Sequence, residues 1–227
     1  MKIGIIGAME SEVALLKIAM ENVTVTQYFD KEVFEGKLFG KDIVLVKCGI
    51  GKVNAGAITL GLIDRFSATH IINTGIAGAL HPLLKIGDIV ISTEVLYHDV
   101  DVTGAGYKIG QLPGIDLSFA ADERLVNLAL TPHTKKGIIK KGIIATGDQF
   151  ISQSEKKKWI HSTFDALCVE MEGAAIGHMA SSAGVPFVII RCISDLAEEK
   201  ALNTFALNLD LAVANSTEIT KQIIGRL

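Results

Sequence analysis

The chain has 227 residues, 22 basic against 25 acidic side chains, a formal net charge of −3, and 49% hydrophobic against 21% charged residues. A chain of this length can bury roughly 70–75% of its unfolded surface, so it needs neither disulfides nor metal for a core. The small negative charge argues against a broad nucleic-acid or anionic-membrane surface. Cys48, Cys168 and Cys192 stand far apart with no C-x-x-C. That spacing fits a reducing compartment better than a disulfide framework or a Cys-type zinc site.

In chain order, the apolar run Lys2–Gly7 is too short for a signal segment or a membrane span and reads as a buried first strand. No window approaches 18 uncharged apolar residues, so a soluble cytoplasmic protein is expected. Further strands are predicted at 43–47, 70–74, 88–92, 143–146 and 187–194, most of them apolar on both faces. Helical spacing marks 9–21, 53–66, 172–183 and 205–224. The alternation predicts a single domain over 1–227, a three-layer α/β domain with helices flanking a central sheet. Residues 97–116 carry Gly104, Gly106, Gly110, Pro113 and Gly114 and read as a long ordered loop, a type that is usually functional.

Ligands in such folds bind at the carboxyl ends of strands. Four ends stand out, at 7–12, 73–78, 146–150 and 191–195. Gly49-Ile50-Gly51-Lys52-Val53-Asn54 resembles a dinucleotide fingerprint, but Asn54 stands where the third glycine belongs, and a tight turn before a helix is preferred. His98-Asp99-Val100-Asp101 hints at a metal cluster but lacks H-E-x-x-H, so solvated or hydrogen-bonded loop residues are expected and no metal. The serines lack a G-x-S-x-G elbow. Lys156-Lys157-Lys158 lies on a predicted helix beside Trp159 and reads as a solvated face.

The carboxylates say more. Glu170 and Glu172 lie at a strand-to-helix junction, where one acid suffices for a cap. Asp195 follows an eight-residue apolar strand; it either caps a following helix or is a desolvated catalytic acid of raised pKa. Glu12 lies in the first turn after strand one. These three regions could converge on one crevice.

The stretches IGIIGAMESEV (3–13), GIGKVNA (49–55), INTGIAGAL (72–80), YHDVDVT (97–103), GYKIGQLPG (106–114), TGDQFI (146–151), VEMEGAAI (169–176) and PFVIIRCISDLA (186–197) resemble the 5′-methylthioadenosine/S-adenosylhomocysteine nucleosidases of the purine nucleoside phosphorylase superfamily. The resemblance runs the length of the chain. It implies a nucleoside phosphorylase-like fold with a mixed, twisted central sheet, and hydrolysis of an adenine nucleoside without cofactor. It implies that Glu12 activates water, that Asp195 protonates purine N7, and that Ser194 orients Asp195. Glu172 would bind the ribose hydroxyls and Met171 would pack on the sugar. Phe150 would stack on adenine, and the Ile151 and Val169 backbones would read its edge. Arg191 would support the water site. Gly78 would line the substrate site, with Ile50 and Phe205 around the 5′ substituent. Val102, Ala105 and Pro113 would reach a neighbouring subunit's site, which implies a homodimer. Ile76, Ala105, Cys192 and Thr204 depart from the residues common in that family, which are Ser, Phe, Ala and Ser. Rival readings are a phosphorolytic enzyme, hydrolysis of 6-amino-6-deoxyfutalosine, and a binding protein that has lost catalysis. Phosphate would meet Glu12 where a basic oxyanion site is needed.

Overall fold

The computed structural model describes residues 1–131 and 137–227. In chain order the elements are β1 Lys2–Gly7, α1 Glu10–Ala19, β2 Glu21–Tyr28, β3 Lys31–Leu38, β4 Lys41–Lys47, α2 Lys52–Asp64, β5 His70–Ala79, β6 Ile89–Tyr97, β7 Ser118–Ala120, α3 Glu123–Leu130, β8 Ile139–Thr146, α4 Ser154–Phe164, β9 Ala166–Glu170, α5 Gly173–Ser182, β10 Phe187–Asp195 and α6 Ala201–Arg226. The mixed sheet runs β10-β6-β8-β9-β5-β1-β4-β3-β2, with β7 on β6.

Strand periodicity builds the layers. Ile3, Ile5, Ile43 and Leu45 point to one face and pack with Val13 and Leu16 of α1, Leu125 and Val126 of α3, and Ile219 and Ile223 of α6. Ile6, Val44 and Val46 point to the other and pack with Ala55, Ile58 and Leu62 of α2 and Ala174 and Ile176 of α5. Helices therefore flank the sheet on both faces, as the alternation predicts.

One feature has no counterpart in the sequence reading. β10 pairs with both β6 and β5, so β5, β10, β6, β8 and β9 close into a ring. β1, β4, β3 and β2 extend outward from β5. Closure accounts for one correction. The strand expected at 70–74 continues to Ala79, because β10 pairs along it from Ile71 to Gly78 and β9 joins at Gly78. The expected strand end at 73–78 is thus strand interior.

β2, β3, β7 and β9 were absent from the expected strands, as was α3 from the expected helices. β2 is a solvent-facing edge strand with no apolar run to mark it. The helix expected at 205–224 starts earlier, at Ala201, and the strand expected at 88–92 runs on to Tyr97. Residues 98–117 are irregular apart from one 3₁₀ turn, Thr103–Ala105, in keeping with the long loop.

Just past the residues of β6 that pair with β10, β6 shifts register against β8 between Ser92 and Glu94. There the buried Ser92 hydroxyl accepts the Ile189 N–H at 2.9 Å. Ser92→Ala leaves that buried donor without a partner. The expected loss is about 1–3 kcal/mol of unfolding free energy, measured by denaturant titration.

Candidate active site

Residues from seven segments line one cavity. They are Ala8, Met9 and Glu12 after β1, Ile50 before α2, Ile76–Gly78 in β5, Gln149–Ile151 after β8, Val169–Glu172 around the end of β9, Ser194 and Asp195 at the end of β10, and Leu202 and Phe205 on α6. The expected convergence of Glu12, Glu172 and Asp195 is therefore observed.

Sheet topology places Glu12. β1 leaves β5 after Asn73, and β9 joins β5 only at Gly78. In the gap between them, the Ile76 N–H has no strand on that side and donates to Glu12 Oε1 at 3.2 Å. Glu12 Oε2 accepts from the N–H groups of Ala8 and Met9 at 2.7 and 2.9 Å. The carboxylate thus occupies the positive end of α1 from inside. Burial pushes its pKa up, against Arg191 and the three N–H donors, which pull it down. Gly75 makes the approach possible. A Cβ there would lie 2.5 Å from Glu12 Oε1 and overlap the Arg191 guanidinium.

Arg191 is buried in β10, behind the cavity lining rather than in it. Its Nη2 donates to Asn73 Oδ1 at 2.6 Å and to Glu170 Oε2, and lies 3.7 Å from Glu172 Oε2. Burial would favour its neutral form, but Glu170, Glu172 and Glu12 hold its pKa above the ordinary value.

The two acids at the β9–α5 junction divide their work. Glu170 is the cap: its Oε2 accepts the N–H groups of Glu172 and Gly173 at 3.0 and 2.7 Å, and its Oε1 accepts the Thr146 hydroxyl. Glu172 makes no cap hydrogen bond. It turns into the cavity and accepts the Gly51 N–H at 2.9 Å. Burial, then the neighbouring Glu170, push its pKa up to about 8 against the pull of Arg191 and Gly51.

Asp195 caps no helix, since α6 begins only at Ala201. Its Oδ2 accepts the Ser194 hydroxyl at 2.8 Å and its Oδ1 the Ala197 N–H at 2.9 Å. Burial raises its pKa, opposed by those two donors and Lys157. Gly78 passes close behind it; a Cβ there would sit 3.0 Å from Asp195 Oδ1. Opposite the acids the wall is apolar. Phe150 meets Phe205 edge-on at 6.1 Å, and both are accessible to solvent beside exposed Ile50 and Leu202.

Not every expected site residue joins the cavity. Val102, Ala105 and Pro113 do not line the cavity of their own chain, and Ala105 and Pro113 are exposed. Gly51 and Lys52, in the fingerprint-like turn, give their N–H groups to Glu172 and to Asp148 at 2.9 Å, so that helix start is filled by the chain's own carboxylates. In the HDVD segment, Asp99 pairs with Lys52 at 2.7 Å. His98 corrects the expectation of a solvated or hydrogen-bonded residue: its ring is buried against Gly147, without a hydrogen-bond partner among the described residues. Asn73 and Glu170, which hold Arg191, and Thr146, which holds Glu170, had no expected role at this site. Their signal was polarity inside otherwise apolar strands.

The model of the Phosphorylase superfamily matches residues 2–225, and the 5′-methylthioadenosine/S-adenosylhomocysteine nucleosidase of Anoxybacillus flavithermus is 44% identical over 100% of this chain and 99% of its own. The chain belongs to this nucleosidase family of the phosphorylase superfamily. The nucleosidase of Bacillus subtilis is 40% identical over the whole of both chains. The nucleosidase of Neisseria meningitidis, solved in complex with methylthio-immucillin-A, superposes with a TM-score of 0.97 at 42% identity, covering 100% of this chain and 99% of that one. A futalosine hydrolase of Helicobacter pylori also superposes, with a TM-score of 0.95 at 31% identity, covering 100% and 98%.

The raised Glu172 carboxyl carries a pH signature. Its value is 4.5 ordinarily and about 8 here, so between these the folded protein holds more of this proton than the unfolded chain does. The cost of charging it is absent at low pH and grows as pH rises through that window. Glu172→Gln stays neutral throughout. The expected result is that wild-type stability falls relative to Glu172→Gln as pH rises from about 4.5 to about 8, measured by denaturant titration across pH.

Proposed function

We propose that the chain hydrolyses the N-glycosidic bond of 5′-methylthioadenosine and S-adenosylhomocysteine, releasing adenine and the free sugar. The observation that carries this reading is the seat of Glu12. The amides of Ala8, Met9 and Ile76 form the anion cradle that a phosphorolytic enzyme on this fold would need, and Glu12 already fills it. An attacking group beside Glu12 is then a neutral water that a carboxylate can deprotonate, not an anion it would repel.

The remaining geometry fits the charges that develop. Breaking C1′–N9 puts positive charge on the ribose and negative charge on the purine. Asp195, raised by burial, keeps a proton to give to N7. Ser194 fixes its orientation. Glu172 faces the ribose hydroxyls, and its hydrogen bonds strengthen as the sugar becomes cationic. Met171 packs on the sugar, and Phe150 stacks on the base. The backbones of Ile151 and Val169 read the adenine edge, while Gly78 leaves room for Asp195. Ile50 and Phe205 surround the 5′ substituent. Arg191 acts at one remove, through Glu170 and the field it places on Glu12.

The site is completed by a second copy of the chain in this reading, as a homodimer. Val102, Ala105 and Pro113 do not line their own chain's cavity, and Ile50 and Phe150, which do, are exposed. With Ala105 rather than an aromatic residue there, the wall facing a small 5′ group is short. We read 1–227 as one nucleosidase domain. Cytoplasmic placement rests on three free, buried cysteines.

The test follows free adenine from 5′-methylthioadenosine, S-adenosylhomocysteine and 6-amino-6-deoxyfutalosine, with and without phosphate. Release from the first two without phosphate is expected; a sugar 1-phosphate product would refute the reading. Asp195→Asn keeps the shape but removes the proton, and kcat is expected to fall by about 10²-fold or more in a folded protein.

A further inference from the structure

The basic run on α4 is not a uniform solvated face. Lys156 lies over the Trp159 ring at 4.1 Å, and Lys158 is exposed. Lys157 turns inward, its side chain only 14% exposed, and donates to Leu196 O and to Glu198 Oε1, both at 2.8 Å. That carbonyl is one end of the Leu196–Ala197 peptide. The other end, the Ala197 N–H, donates to Asp195 Oδ1 at 2.9 Å. One rigid, planar unit therefore joins an ammonium to a buried carboxyl. Ala197 has φ +52, a left-handed conformation that an alanine keeps only when its surroundings hold it there. Ser154 adds a second tie, from its N–H and hydroxyl to Glu199 at 3.1 and 2.8 Å.

We propose that Lys157 is a positioning residue for Asp195, acting through the Leu196–Ala197 peptide. The proposal rests on the assignment of Asp195 as the acid. With the ammonium at the carbonyl end and the carboxyl at the N–H end, the peptide dipole lies along the line between them. It aims Oδ1 and favours the charged form of Asp195, so the acid releases its proton although burial acts to retain it. The other groups around Asp195 are few. Ser194 donates to Oδ2, β5 presents the backbone of Ala77 and Gly78, and α6 presents the uncharged Leu202 and Phe205. Glu198 partly neutralises Lys157, and Glu12 and Glu172 line the same cavity. Lys157 is the cation that acts on Asp195.

The experiment is an NMR titration of the full chain labelled with carbon-13 at aspartate Cγ, with Asp195→Asn identifying the resonance. Lys157→Met is expected to raise the Asp195 midpoint by about half to one pH unit, and Lys157→Arg to restore it. In adenine release, Lys157→Met is expected to lower kcat about tenfold with KM within about twofold, and to move the alkaline limb of kcat upward with the carboxyl. An unchanged midpoint in Lys157→Met overturns the proposal. So does lost activity accompanied by a lower melting temperature and no shift. A shifted midpoint in a protein that releases no adenine supports the coupling and overturns the nucleosidase assignment instead.

Discussion

A single buried guanidinium organises this molecule. Arg191 sits in the interior of β10 with Glu170 in direct contact, Glu172 at 3.7 Å and Glu12 within its field. Three carboxyls around one cation leave an excess of negative charge away from water, where isolated charge is expensive. Backbone N–H groups from Ala8, Met9, Ile76, Gly51, Glu172 and Gly173 converge on the carboxyls. Burial nevertheless raises the proton affinity of Glu12 and Glu172, and the neighbouring Glu170 adds to the rise at Glu172. The proton transfers proposed for this site would draw on carboxyls whose proton affinity the core already raises.

The same frame separates the acids by duty. Glu170 has every oxygen engaged by the chain and serves as structure. Glu12 is held by amides on one side and open to the cavity on the other. Asp195 stands apart from the Arg191 group, at the end of β10, held by Ser194 and Ala197. Separate environments of this kind suit the donor and base roles proposed for the two acids. Membership of a superfamily with phosphorolytic members would not decide between water and phosphate; the occupied amides at the end of β1 bear on that choice directly.

Much of this was legible in the chain. Runs such as Ile3–Ile6 and Phe187–Ile190 are apolar on both faces, as in a sheet covered by helices, and the helical stretches between them predict the layering. The acids at strand ends marked the cavity. Glu21–Tyr28 escaped because an edge strand facing water needs no apolar run. Ring closure escaped because pairing of β10 with both β5 and β6 joins residues distant in sequence. Glu170 and Glu172, two residues apart at one junction, could not be told apart by position alone; only the direction of each side chain separates the cap from the cavity.

A closed ring of strands has no free edge to peel and no seam along which it can slide. Four of its five members, β5, β8, β9 and β10, carry or brace the polar groups of the cavity. The span across the polar floor is therefore fixed like the bore of a pipe, and widening it means tearing a strand pairing. Passage in and out falls to what lies outside the ring: Leu202 and Phe205 on α6, Phe150 after β8, and Ile50 before α2. Whatever enters or leaves the cavity passes that apolar rim, while the polar floor beneath it is held by strand pairing.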